Sequence, residues 1–251
     1  MPRFEVEKVV QENSIKLTKD GSSLRKVRLV LGWEGDNELD LDASCFLLNS
    51  EKKCLDRHNL VFFGSVLKMP AKDNDGHFIF KQDTRKGYNP RTKQVEEYIE
   101  EVPIWAYTSK CGNVVHHGDA RIGTGGDDEQ ISVNLEKFGT TGGTEDIRGV
   151  LFVITIYKVK SLGMSFANAS SINVEIFDES NEKQPPISLH KYSISTTRHK
   201  DKYSMIVGGI VRNNGLWEYQ SYEKLEKKTL EDYMLQFEYP YMQKEAPLSL
   251  I

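Results

Sequence analysis

An all-β chain, mainly an antiparallel β-sandwich with short helices added, is what the sequence predicts. Three observations carry that expectation. Short apolar segments with a repeat of two recur along the chain. Gly-, Asn- and Asp-rich turn signals stand between them, at 19–23, 35–37, 49–53 and 213–215. Residues 150–159 form a strongly β-favouring run suited to a central strand.

Taken in order, residues 10–19 alternate and end in a turn, and 27–33 read as a buried strand. From Leu39 the period is two. Leu39, Leu41, Ala43, Cys45 and Leu47 share one face, and Asp40, Asp42 and Ser44 share the other. A turn at 49–53 precedes a strand at 60–63. Residues 68–110 are rich in charge and read as an insertion, too short to bury a core of their own. Within it, 77–81 reads as one arm of a hairpin. Val95, Tyr98, Ile99 and Val102 have the i, i+3, i+4, i+7 spacing of an amphipathic helix that Pro103 would end. Further strands are expected at 131–135, 170–178, 204–211 and 216–222, with a hairpin turn at Asn213-Asn214-Gly215. Residues 223–237 predict a C-terminal helix, and 238–251 a tail. The expectation is therefore one sandwich domain over 1–237.

The 251 residues suffice for a core without disulfide staples. Charged residues make up 28% and the net charge is −4, so the basic field of a non-specific nucleic-acid binder is missing. Three cysteines without Cys-x-x-Cys spacing suit a reducing compartment. The first residues carry no apolar signal region, and no run of about eighteen apolar residues predicts a transmembrane segment. A cytoplasmic location is the resulting expectation.

Two acidic stretches stand out. Gly118 to Gln130 carries Asp119, Asp127, Asp128 and Glu129 on glycine-rich backbone, and Gly35 to Asp42 carries Asp36, Glu38, Asp40 and Asp42. Unpaired carboxylates cannot be buried cheaply. Hard oxygen ligands on flexible backbone suit Ca²⁺, so the two stretches are expected to meet around calcium. Two such ions would bring the formal charge of −4 to about zero. A solvated turn is the competing reading. Gly123-Thr124-Gly125-Gly126 lacks the Gly-Lys-Ser/Thr ending of a phosphate loop, and acids follow it. Asp73-Asn74-Asp75-Gly76 has the wrong spacing for an EF-hand loop and reads as a turn. His116 and His117 should point to opposite sides of a strand and serve packing. Cys45, on an apolar face, reads as an inert core thiol.

Several of these segments, in this order, resemble the TerD family of tellurite-resistance and general stress proteins. They are Leu31-Gly32-Trp33, Asp40-Leu41-Asp42-Ala43-Ser44-Cys45-Phe46-Leu47-Leu48, Leu60-Val61-Phe62-Phe63, Val114-Val115-His116-His117-Gly118-Asp119 and Gly126-Asp127-Asp128-Glu129-Gln130-Ile131. The run Val150-Leu151-Phe152-Val153-Ile154-Thr155-Ile156-Tyr157 and the ending Asn214-Gly215-Leu216-Trp217 also fit. The resemblance implies a β-sandwich with two neighbouring Ca²⁺ sites and no known catalysis. By motif position, the metal ligands would come from Asp40, Asp42, Asp119, Asp127, Asp128 and Glu129, with Asp36 a weaker match. Ala120 stands where the family usually has Asn, and Thr124 where an acid is common. With fewer carboxylates, the calcium affinity should fall.

The expected function is calcium-dependent binding in stress response or defence, with a protein partner or self-assembly and no nucleic acid. The alternative is a structural or scaffold protein that assembles through the sandwich and the 68–110 segment. A metal-dependent hydrolase would need an open coordination position and a poised base.

Overall fold

A computed structural model describes residues 23–36, 38–65, 67–72, 77–118, 120, 123–126, 128–139, 146–195 and 200–240. The predicted strand at 10–19 and all but the first three residues of the predicted tail lie outside them. The strands are β1 (Lys26–Gly35), β2 (Leu41–Leu48), β3 (Leu60–Val61), β4 (Lys68–Pro70), β5 (Phe80–Asn89), β6 (Gln94–Pro103) and β7 (Trp105–Thr108). There follow β8 (Val114–His116), β9 (Glu129–Asn134), β10 (Gly149–Ile156), β11 (Ala169–Asp178), β12 (Ile187–Ser193), β13 (Ser204–Asn213) and β14 (Leu216–Glu226). Two short helices accompany them, α1 (Val159–Leu162) and α2 (Leu230–Gln236).

The strands form an antiparallel sandwich. One sheet has the order β12-β11-β1-β9-β8-β7-β4, the other β14-β13-β10-β2-β3, and among the described residues β5 pairs only with β6. Between the sheets, Val27, Leu29, Leu31 and Trp33 of β1 meet Leu41, Ala43, Cys45 and Leu47 of β2 and Phe152 and Ile154 of β10. This is the period-two face that the sequence predicts for β2. The opposite face of β2 and β10, with Phe46, Leu48, Leu151 and Val153, is covered by Leu230, Tyr233, Met234 and Phe237. With both faces covered, every residue of β2 is buried.

Two helical expectations are corrected. The stretch 92–102, with its apparent helical spacing, is instead strand β6, paired residue for residue with β5 from Phe80↔Pro103 to Asn89↔Gln94. Its apolar residues fall on both faces of a ribbon, Val95 and Ile99 on one and Tyr98 and Val102 on the other. A turn closes the ribbon, with the Lys93 N–H on the Asn89 carbonyl at 2.8 Å and Glu96 accepting from Asn89 and Thr92. No helix therefore forms in the 68–110 segment among the described residues. The C-terminal helix is also shorter than 223–237, because β14 runs on to Glu226. It starts at a capping box, where Thr229 Oγ1 accepts from the Asp232 N–H and Asp232 Oδ2 accepts from the Thr229 N–H. Tyr239 is buried, and its hydroxyl donates to the Arg57 carbonyl at 3.0 Å.

The flanks of 68–110 belong to the sandwich. Strands β4 and β7 pair with each other, and β7 pairs with β8. The predicted hairpin turn holds: Asn214 and Gly215 have φ of 48° and 85°, the two left-handed positions of a type I′ turn.

Candidate functional site

The two acid-rich stretches meet at one residue, Trp33, near the end of β1. Its ring is fully buried, and its Nε1 donates to the Leu39 carbonyl at 3.2 Å, which fixes the turn that leads into β2. Its carbonyl accepts from the Gly125 N–H at 2.8 Å, and its N–H donates to Asp128 Oδ2 at 2.9 Å. One side chain and one peptide unit thus hold both stretches. Two glycines make the approach possible. A Cβ on Gly32 would lie 1.9 Å from the Gly126 carbonyl oxygen, and a Cβ on Gly123 would lie 2.5 Å from Trp33 Nε1.

Asp128 is drawn into its own loop. Oδ1 accepts from the Thr124 N–H at 2.9 Å and from Thr124 Oγ1 at 2.6 Å, while Oδ2 accepts from Trp33. A carboxylate offers about four lone-pair sites, and three are taken here. The residue works as a clasp that pins the glycine run to β1.

Glu129 opens β9 on the opposite face. Glu129, Ile131 and Val133 alternate inward, so the carboxylate enters the space between the sheets and is fully buried. Strand β2 continues past the two residues that pair with β3, which leaves the Ala43 N–H without a strand neighbour on that side. Glu129 Oε2 accepts that N–H at 2.7 Å. The same oxygen lies 3.4 Å from Nε2 of the fully buried His116. His116 Nδ1 accepts from the Gly118 N–H at 3.3 Å, which leaves Nε2 facing the carboxylate. Tyr107 packs edge-on against the ring at 6.0 Å. Strands β8 and β9 of one sheet are thereby tied to β2 of the other. The Ala43 N–H and the nearby imidazole offset part of the cost of burying a carboxylate in this position.

Asp42 lies on the other face of β2. It stands opposite Thr155 and, 3% exposed, lines a cleft of about 410 Å³ with Phe62, Tyr157, Leu230 and Met234. Asp40 is half-buried just before β2, and its carbonyl accepts from the Tyr157 N–H at 2.9 Å. The exposed Asp36 accepts from Asn168 Nδ2 at 3.1 Å. Asp119 and Asp127 lie outside the described residues. Asp128, Glu129 and Asp42 therefore point into a loop, an inter-sheet core and an outer cleft. Among the described residues, no three His, Cys, Asp or Glu side chains come close enough together to hold a metal.

Cys45 is buried, and burial followed by the neighbouring Cys54 pushes its thiol pKa up. Burial pushes Cys54 up to about 12. Both thiols are inert at neutral pH, as expected for core cysteines. All three cysteines are free. No described helix is long and apolar enough to cross a membrane.

Residue-type patterns pointed at the carboxylates and missed Trp33 and the His116–Glu129 pair. The signal for Glu129 was present, since it shares its parity with Ile131 and Val133.

Residues 7–103 and 106–237 match the TerD domain. General stress protein 16U of Bacillus subtilis (strain 168) is 28% identical over 215 residues, 82% of this chain and 84% of the relative. Tellurium resistance protein TerD of Serratia marcescens is 23% identical over 213 residues, 83% of this chain and 84% of the relative. The crystal structure of SAV2460, a protein of unknown function, is similar with a TM-score of 0.51 at 14% identity, over 84% of this chain and 95% of that one. This last likeness concerns the fold alone. With a domain match over most of its length, the chain belongs to the TerD domain family.

Proposed function

We propose that the chain is a cytoplasmic stress-response protein that acts by calcium-dependent binding of a protein partner rather than by catalysis. Relatives named for general stress and tellurium resistance support the stress setting. The observation that carries the calcium reading is the junction at Trp33, where two acid-rich stretches far apart in the chain are fastened side by side. In this reading Asp40, Asp119 and Asp127 are the principal ligands. Asp128 and Glu129 position the loop, because their oxygens already serve the Trp33, Thr124 and Ala43 donors. Calcium would supply positive charge to a cluster of acids that repel one another. At 100 times its dissociation constant, one such ion stabilises the folded state by about 2.7 kcal/mol.

The test is metal analysis and calorimetric titration of the whole chain with CaCl₂. The wild type is expected to take up calcium, Asp119→Asn/Asp127→Asn to lose most of the heat, and Asp128→Asn to bind more weakly. A wild-type protein that takes up no calcium would end this reading.

A further inference from the structure

The ribbon of β5 and β6 is the part of the molecule that the sandwich does not use. It is rooted at the β4–β7 edge, where the Ile79 N–H donates to the Ala71 carbonyl at 2.9 Å and the Ile104 N–H to the Ile79 carbonyl at 3.0 Å. Beyond that root, among the described residues, the two strands pair only with each other, so neither outer edge has a described strand beside it. Its surface is unusually apolar for a free element. Phe80, Tyr88, Val95, Tyr98 and Ile99 are each more than half exposed. A two-stranded ribbon with no further layer is marginal in water, and exposed apolar side chains on free edges mark a surface that pairs.

Charge identifies what it pairs with. Strand β5 carries Lys81, Arg85 and Lys86 against Asp83, three positive and one negative, a net of +2. Strand β6 carries Glu96, Glu97, Glu100 and Glu101, a net of −4. Edges of one sign normally keep copies of a protein apart. This ribbon has a basic edge and an acidic edge. Pairing β5 with β5, or β6 with β6, sets like charges opposite one another and is disfavoured. Pairing β5 of one molecule with β6 of another sets acid beside base and adds backbone hydrogen bonds along the edge.

We propose that the ribbon is a self-association surface, in which the basic edge β5 of one copy adds to the acidic edge β6 of the next. This goes beyond the calcium reading and does not depend on it. Such a contact is head-to-tail, so each added copy leaves one β5 edge and one β6 edge open, and assembly continues. Running β6 parallel to the next β5 sends the two sandwich bodies to opposite ends of the ribbon. The bodies of adjacent copies then avoid the collision that a strand spacing of about 4.8 Å would impose on bodies side by side.

The experiment is light scattering of the whole chain across a dilution series, in chelator. The weight-average mass should rise about twofold or more above the monomer's 28.7 kDa as concentration increases, since the contact leaves both ends open. It should fall back when salt goes from about 0.1 M to about 1 M, which shortens the screening length from about 10 Å to about 3 Å. Lys81→Glu/Arg85→Glu/Lys86→Glu makes both edges acidic, and Glu97→Lys/Glu100→Lys/Glu101→Lys makes both basic. Each variant alone should stay monomeric, and an equimolar mixture of the two should associate. Recovery on mixing requires two intact ribbons of opposite charge, which separates the proposal from simple misfolding. A wild type that stays monomeric at every concentration in low salt, a reversed variant that associates as the wild type does, or a mixture that does not associate would each overturn it.

Discussion

Strands β2 and β6 are of similar length, and both mix carboxylates with apolar residues, yet one is wholly buried and the other almost wholly exposed. The difference lies in their neighbours. Strand β2 has the second sheet on one side and α2 on the other, so its side chains are buried on both faces. Among the described residues, strand β6 has one neighbour, and its side chains are nearly all exposed. A carboxylate beside the first strand is a structural element whose loss is felt throughout the fold. A carboxylate on the second is a surface charge held by neighbours within the ribbon, as Glu96 is by Asn89 and Thr92 and Glu97 by Lys86.

Substitutions can break or sharpen that contrast. The largest effect is expected at Trp33, which is fully buried and holds both acid-rich stretches. Trp33→Ala should cost about 4 kcal/mol in urea unfolding. Glu129→Ala removes the acceptor of the Ala43 N–H and the carboxylate beside His116, and should cost about 3 kcal/mol. Glu129→Gln keeps an acceptor and should cost clearly less. Asp128→Ala unfastens the glycine run from Trp33 and Thr124 and should cost about 1.5 kcal/mol, with faster proteolysis in the loop. The smallest effect is in the ribbon. Lys86 bridges Glu97 at 3.1 Å with both side chains mostly exposed, and Lys86→Ala should leave the unfolding midpoint within about 0.5 kcal/mol. A ribbon substitution as costly as Glu129→Ala would erase the distinction.

Much of the body was legible in the sequence because its strands are double-sided. Alternation at Leu41, Ala43, Cys45 and Leu47 and the apolar run around Phe152 mark strands that only a sandwich can cover. The ribbon misled for the complementary reason. With both faces in water, β6 had no core to impose a period, and Val95, Tyr98, Ile99 and Val102 matched a helix by spacing alone. The β4–β7 pair was missed because each strand is only three or four residues long. At the candidate site, the juxtaposition of the two acidic stretches was expected from charge. The joint that makes it was not, because nothing in the residue order says that Gly32 and Gly123 each lie against another segment's backbone.

The most direct test of the central claim is hydrogen exchange read by mass spectrometry on the whole chain, with calcium and with chelator. Calcium should slow exchange in 35–42 and 118–128, the stretches joined at Trp33, and leave 80–103 unchanged. Identical exchange in both conditions, or protection gained in 80–103 alone, would contradict it.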